Sequence, residues 1–535
     1  MAKNMKPYFD AAVKNIVSHG DTDIFPYPIE NHVLFDSEKE LVKLLRNAYS
    51  NFDEYFAVNS PSHITTLSPV GYTGFRWASQ LDPFWNAYFL GVVLAIAEEI
   101  ESSRIPIKNK TIFSYRINPV GKKSKIFDDK IGWPEFVERS KELASEHNYV
   151  LCVDIADCYT RIPHHRLENA LKQLKIRNSG PAHIKEILSN FSDTRSTGVP
   201  IGGPAARILV ELVLNMTDKL LASNGVIFCR FADDYHEFCK SHDDAYAKLT
   251  FISEKLLRNE RLSLQKAKTR IMSSEEFLSA QSILETREDD DDHTDERDFM
   301  NISLRYDPYS DDRDERYDQL KAELKKFDIL GMLNRELQKT RTHGVLAKRL
   351  IKSIQHLKKP VKNNAALTLI ENLDILYPLF PIVATTIKSI FFELPDVTQN
   401  KICQVLREGI SSRNHVFQIE MHLAYAARVL GESKTPENED ALVDIFNNST
   451  SNMVRRDVIL IMSKWRVFYW LSDLMNDFNS LGAWERRAFI IASYQLDDAG
   501  SHWRDHMKNR FNDFELLVRD WAAEKSQIKE WQVPI

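Results

Sequence analysis

Two adjacent aspartates, Asp233 and Asp234, interrupt a stretch that otherwise reads as strand. Val226-Ile227-Phe228-Cys229-Arg230-Phe231-Ala232 leads into them, and Tyr235-His236-Glu237-Phe238-Cys239 resumes after them. The pattern predicts strand, acidic turn, strand. A second short apolar run, Tyr149-Val150-Leu151-Cys152-Val153-Asp154-Ile155, suits a buried strand that delivers Asp154 at its edge. Like charges brought together raise each other's repulsion and desolvation costs, and a bound cation offsets both. An Asp-Asp turn alone is common and mostly structural, so the context of the pair decides its meaning.

The rest of the chain divides by pattern. Tyr8 to Val17 reads as a short helix, followed by a loop that Phe25-Pro26-Tyr27-Pro28 keeps out of helix and sheet. Apolar spacing predicts one amphipathic helix from Asp82 to Arg104 and another from Pro204 to Leu221. Ile112 to Ile117 and Ser124 to Phe127 flank a Gly-containing connection with basic residues at its tip, a hairpin pattern. From Tyr317 onward almost every segment has helical periodicity, and paired helices in succession point to an α-solenoid of the HEAT kind.

A length of 535 residues implies three or four units. No run of about 18 apolar residues is expected to span a bilayer. The first residues lack the apolar core of a signal peptide, which predicts a cytosolic protein. Five cysteines without a Cys-x-x-Cys pair predict reduced thiols and no structural zinc. The net charge of -6 conceals two opposed patches: Glu285 to Asp318 has 15 acidic and five basic residues, while Gly331 to Lys362 has nine basic residues and one acid. The first reads as a solvated acidic connector. The second is either a surface that tracks a phosphate backbone or an exposed basic helix face.

Nucleotidyl transfer on two hard cations needs carboxylates converging from separate segments, and Asp154, Asp233 and Asp234 supply such a set. Asp154-Ile155-Ala156-Asp157-Cys158-Tyr159 resembles the first palm motif of reverse transcriptases, and Phe231-Ala232-Asp233-Asp234 resembles their aromatic-x-Asp-Asp box. Gly198-Val199-Pro200-Ile201-Gly202-Gly203-Pro204 resembles the Gly-x-Pro-x-Gly motif, and Leu262 to Thr269 the motif ending in Lys-Thr. The resemblance implies Mg²⁺, replaceable by Mn²⁺, held by Asp154, Asp233, Asp234 and the backbone of Ile155. It implies Lys268 as the group that protonates or neutralises pyrophosphate, and Tyr159 as the ring that blocks a ribose 2′-hydroxyl. Nucleotide contacts would also come from Gly202, Arg116 and the lysines Lys122, Lys123 and Lys125. Cys158, Thr160 and Ala206 depart from the common pattern, which puts template-strand contacts in doubt.

A narrower resemblance is to the abortive-infection (Abi) polymerases of bacteria and their prophages. It is carried by His19 to Pro26, Gly74-Phe75-Arg76, Phe113-Ser114-Tyr115-Arg116, Arg305-Tyr306-Asp307-Pro308-Tyr309-Ser310 and the helical tail. It implies an α+β reverse transcriptase fingers-palm domain followed by an all-α, HEAT-like domain. The corresponding bounds are an N-terminal segment 1–60, fingers 61–150, palm 151–284, acidic connector 285–318 and helical domain 319–535. It further implies deoxynucleoside triphosphates as substrates, a bacterial cytoplasmic homo-oligomer with no membrane, and untemplated DNA synthesis in phage defence from a protein tyrosine, with the product covalently attached. A priming tyrosine must reach the metals, and Tyr8 and Tyr27 in the N-terminal segment are the candidates. Protein priming also relaxes the need for a basic duplex channel, because tethering supplies effective concentration. The alternatives are a conventional RNA-templated enzyme of the retron or group II intron class, and a non-catalytic assembly scaffold.

Overall fold

The computed structural model describes residues 4–20, 24–120, 125–191, 196–286, 299, 320–339 and 344–535. The chain forms two compact units. The first comprises Met1–Thr65, Ala78–Leu284 and Phe511–Trp521, and the second Thr66–Trp77, Glu285–Arg510 and Ala522–Ile535.

The first unit opens with helices α1 (Lys6–His19), α2 (Glu30–Asp36), α3 (Glu38–Ser50) and α4 (Phe52–Val58), ahead of the hairpin strands β1 (His63–Val70) and β2 (Gly74–Leu81). The expected loop after the first helix is therefore confined to the residues around Pro26 and Pro28, and Phe25 is buried there. Leu41, Val42 and Leu45 give α3 a buried apolar stripe, which is why that stretch closes as helix. Next come α5 (Pro83–Leu94) and α6 (Ala97–Ser103). Asp82 caps α5 by accepting from the Phe84 N–H at 3.1 Å, and Pro83 takes the first helical position. Because α5 is apolar on every side it is buried throughout, and α1 packs directly on it. A β-carbon on Gly91 would stand 2.2 Å from the Phe9 ring, so only glycine permits this approach. The single helix expected from Asp82 to Arg104 breaks at Ile96, whose φ of -119° leaves the helical region.

The remaining elements are α7 (Trp133–Ser145), β3 (Tyr149–Asp154), α8 (Cys158–Arg161), α9 (His164–Gln173), α10 (Gly180–Phe191), α11 (Pro204–Ser223), β4 (Ile227–Phe231), β5 (Asp234–Cys239), α12 (His242–Lys255), β6 (Arg270–Ser273) and α13 (Ser274–Thr286). Their four strands form one sheet in the order β4-β5-β3-β6, with β3 antiparallel to both neighbours. Tyr235 on one face reaches Asp218 of α11, while His236 on the other stacks on Phe136 of α7 at 4.6 Å. The central strand β3, with a neighbour on each side, is near-continuously apolar up to Asp154, as its sequence pattern predicts. Of the hairpin expected between Ile112 and Phe127, the described residues form one bridge, Ile117 with Phe127. Residues 111–113 instead bond the edge of β4: Phe113 N–H donates to the Arg230 carbonyl at 2.9 Å and Arg230 N–H to that of Thr111 at 2.8 Å.

Glu237 on β5 is fully buried, and neither carboxyl oxygen has a hydrogen-bond partner among the described residues. Burial pushes its carboxyl up to about 8, with Lys248 opposing. A folded-state value above the ordinary one of 4.5 means that the fold favours the proton. Stability is therefore complete below pH 4.5 and is lost as pH rises through 8. Glu237→Gln is expected to match wild type near pH 4.5 and to exceed it by about 2–3 kcal/mol at pH 8, read from urea midpoints. Parallel pH profiles would contradict this.

The second unit is helical beyond its share of the β1–β2 hairpin. Phe380–Ile390, Glu420–Leu430, Asn452–Lys464 and Ala483–Ala492 stack in succession, and Asp396–Ser411, Pro436–Asn448 and Phe468–Asn476 alternate with them along the chain. Close stacking again demands glycine: a β-carbon on Gly431 would meet Ile461 at 2.8 Å. Contrary to the sequence expectation, Leu373–Glu393 has the length (21 residues) and mean hydropathy (1.6) of a membrane span. Half of it is buried within the structure, and with Pro378 and Pro381 it folds as short α and 3-10 segments rather than one helix. In the basic stretch Arg335, Lys348, Lys352, Lys358 and Lys359 are exposed, whereas Lys362 is buried and bonds Glu393 at 2.7 Å. The acidic connector 285–318 lies almost wholly outside the described residues.

Candidate active site

The three aspartates meet at one end of the palm sheet. Asp154, the last residue of β3, pairs with Asp234, the first of β5, and Phe231 of β4 pairs with the same Asp234. Register therefore leaves a two-residue turn, Ala232-Asp233. Ala232 takes a φ of +53°, a region that a two-residue hairpin demands and that costs an alanine about 1 kcal/mol. Ile155 N–H donates to the Asp233 carbonyl at 3.1 Å, and Gln265 N–H to that of Asp154 at 2.7 Å. The segment before β6 thus buttresses the acidic corner, and it delivers Lys268, whose Nζ lies 2.7 Å from Asp154 Oδ2.

Electrostatics follow from this convergence. Burial and then the Asp154 charge raise the Asp233 carboxyl. Burial, followed by the charges of Asp233 and Asp154, pushes Asp234 up to about 7. One ammonium against three carboxylates leaves the corner short of positive charge. Among the described residues no three acidic, histidine or cysteine side chains form a closed metal cage. Mg²⁺ does not need one, since it keeps waters and takes substrate phosphates as ligands beside one or two carboxylates. The oxygen donor set and its charge deficit fit such an open site.

The other motif residues gather around this corner. Asp157 turns away in the left-handed region, φ +50°, and its carboxylate pairs with Arg161. Tyr159 is half-buried; Val199 N–H donates to its carbonyl at 2.9 Å, and Gly198 N–H to that of Ile162 at 2.8 Å. Two motifs distant in sequence are thereby joined backbone to backbone. Gly202 adopts a φ of +107°, which a side chain would strain. With Pro204, Arg207, Lys125 and Phe127 it lines a cavity of about 310 Å³.

Arg116 was expected as a triphosphate clamp. It is buried, and its guanidinium spends three of its five N–H donors on Glu101 at 2.9 Å and on the carbonyls of Ile112 and Ile105. Lys125 is exposed and paired with Asp129 at 2.7 Å, while Lys122 and Lys123 lie outside the described residues. Tyr8 is half-buried on α1; Tyr27 is exposed, its ring edge-on to His32. Tyr8 thus belongs to a helix, and Tyr27 to the loop before α2.

Sequence reasoning missed the support beneath the acidic turn. Arg230, fully buried, donates to Asp218 at 2.8 and 2.7 Å, to Glu211 at 3.0 and 2.7 Å, and to the Ala232 carbonyl at 2.8 Å. Arg104 and the Ser114 hydroxyl reach the same Glu211, each at 2.5 Å. Burial pushes both carboxyls up. Two guanidiniums more than offset it at Glu211, which ends low, whereas Asp218, with Arg230 its main partner, stays raised. The available signal was an arginine in an apolar strand and two acids seven residues apart within the apolar helix α11.

No curated protein matches the chain. Among solved structures it is similar to telomerase from Candida albicans in complex with the TWJ fragment of telomeric RNA, at 12% identity over 70% of each chain and a TM-score of 0.31. Residues 106–332 match the family described as reverse transcriptase (RNA-dependent DNA polymerase). This stretch contains the aspartate corner, the glycine loop and Lys268, and it is a nucleotidyltransferase domain of reverse transcriptase type.

Proposed function

We propose that the protein is a Mg²⁺-dependent DNA polymerase of the Abi kind, template-independent and protein-primed, which acts in phage defence in the bacterial cytoplasm. The observation that carries the polymerase reading is the convergence of Asp154, Asp233 and Asp234 on one corner with Lys268 against it. Bound divalent ions would activate the attacking hydroxyl and hold the triphosphate, and Asp154, Asp233, Asp234 and the Ile155 backbone would hold those ions. Lys268 keeps a proton on Nζ beside Asp154, which raises its affinity for that proton, and so presents a cation to the leaving pyrophosphate. The stacked helices of the second unit support a HEAT-like reading of the tail.

A second reading, RNA-templated synthesis, is favoured by the family's own description. The two separate in one assay. Purified protein given deoxynucleotides and Mg²⁺ is expected to extend DNA equally with and without added RNA, and mass spectrometry is expected to find a nucleotide-bearing tyrosine peptide. Products that copy the added RNA, with only unmodified peptides, would establish the templated enzyme instead.

A further inference from the structure

The glycine loop hangs from one short stretch of chain. Residues 159–164 run antiparallel to its head and bond it repeatedly. Val199 N–H donates to the Tyr159 carbonyl at 2.9 Å and Gly198 N–H to that of Ile162 at 2.8 Å. Pro163 bridges Thr197, and His164 N–H donates to the Ser196 carbonyl at 3.0 Å. Among the described residues, Val199 is the last position of the loop hydrogen-bonded to another segment before α11 begins at Pro204. The placement of Gly202, which lines the cavity beside Arg207, therefore depends on this ladder.

One rung of the ladder is a side chain. The imidazole of the half-buried His164 has Nε2 2.7 Å from the Gly198 carbonyl. A carbonyl only accepts, so the ring proton sits on Nε2. Burial lowers the affinity of the imidazole for a second proton, and the single N–H of the neutral ring is committed to this bond. Gly198 is thus gripped at both its N–H and its carbonyl. The anchor itself is rigid: His164 opens α9, whose Leu167, Ala170 and Leu171 are buried, and Arg166 donates to the buried Glu260 at 3.0 and 2.8 Å. Binding groups that are already fixed spare a ligand the cost of ordering them.

We propose that His164 is a positioning residue for the incoming nucleotide: its Nε2–H, bonded to the Gly198 carbonyl, fixes the glycine loop in the conformation that receives the nucleotide. This rests on the polymerase reading above. His164 acts only through the loop. The aspartate corner is held by other bonds, Ile155 to Asp233 and Gln265 to Asp154, so loss of His164 weakens nucleotide binding and spares the chemical step.

Equilibrium binding of dATP in Ca²⁺, beside steady-state incorporation in Mg²⁺, tests this on the full chain. Glutamine places an amide N–H close to where Nε2 stands, asparagine is one methylene too short to do so, and alanine has no donor. Kd and KM for dATP are expected to rise about three- to tenfold in His164→Ala and His164→Asn, the worth of one hydrogen bond, with kcat within about twofold of wild type. His164→Gln should stay within about twofold of wild type in all three constants. Wild-type affinity in His164→Asn, equal losses in His164→Gln and His164→Asn, or a fall in kcat with KM unmoved would overturn the proposal. So would a His164→Asn chain that fails to fold, because the bond would then serve the fold rather than the loop, and so would a wild-type protein that does not bind dATP. A wild-type protein that binds dATP, weakens in His164→Asn and recovers in His164→Gln, yet incorporates nothing would sink the polymerase reading and support this one.

Discussion

Asp154→Asn is expected to lower nucleotide incorporation by at least about a thousandfold while leaving the melting temperature unchanged or raised. The substitution keeps shape and removes one of three charges at the corner where β3 meets β5. Asp233 and Asp234 are both raised by Asp154, so its neutralisation relieves repulsion in the metal-free fold. Lys268 loses its 2.7 Å partner at the same time, but it is largely exposed and water replaces the pair at little cost. Function and stability should therefore separate, as they do where a site is built from mutually repelling groups. Incorporation of labelled deoxynucleotide and thermal melting on the same preparation provide the check. Activity within tenfold of wild type would remove Asp154 from the chemistry.

Arg230→Met should act in the opposite way, through the fold. Glu211 and Asp218 are both fully buried, and Arg230 is the cation they share. Removing one member of a buried ion network strands the other charges, at a cost of about 3–5 kcal/mol. The Ala232 carbonyl loses its donor as well, so the strained turn before Asp233 loosens. Adding Asp218→Asn to Arg230→Met should restore part of the stability, because one stranded charge disappears while Arg104 still serves Glu211. Urea midpoints of the single and double variants decide this. A single variant with wild-type stability would show that the network is held by its other members.

The palm was legible because its signals are local. Two apolar runs, an acidic turn, and a glycine loop before a helix each state a backbone conformation within a few residues, and β3, β4, β5 and α11 lie where those signals place them. What escaped depends on partners far away in sequence. Arg116 looks like any finger arginine until Glu101 and the carbonyls of Ile105 and Ile112 surround it. Residues 111–113 carry strand-like composition, but composition does not reveal that the free edge of β4 will take them. The helices α2 to α4 were hidden because their short amphipathic stripes follow a proline-rich loop. Leu373–Glu393 passes a hydropathy threshold that a buried core helix passes equally well.

The catalytic unit also contains Phe511–Trp521, more than two hundred residues beyond its other segments. Phe514 packs on Phe84 at 5.6 Å, and the Trp521 indole N–H donates to Asp36 at 2.7 Å. Translation proceeds from the N-terminus at about 5–20 residues per second, and domains ordinarily fold as they emerge. Here the unit with the aspartate corner gains its last segment, Phe511–Trp521, on the order of tens of seconds after Leu284 has been synthesised. A ribosome that stalls or terminates within the helical unit leaves behind a chain lacking this segment. The contacts of Phe514 and Trp521 are thus added to this unit only after the helices that precede residue 511 have been translated.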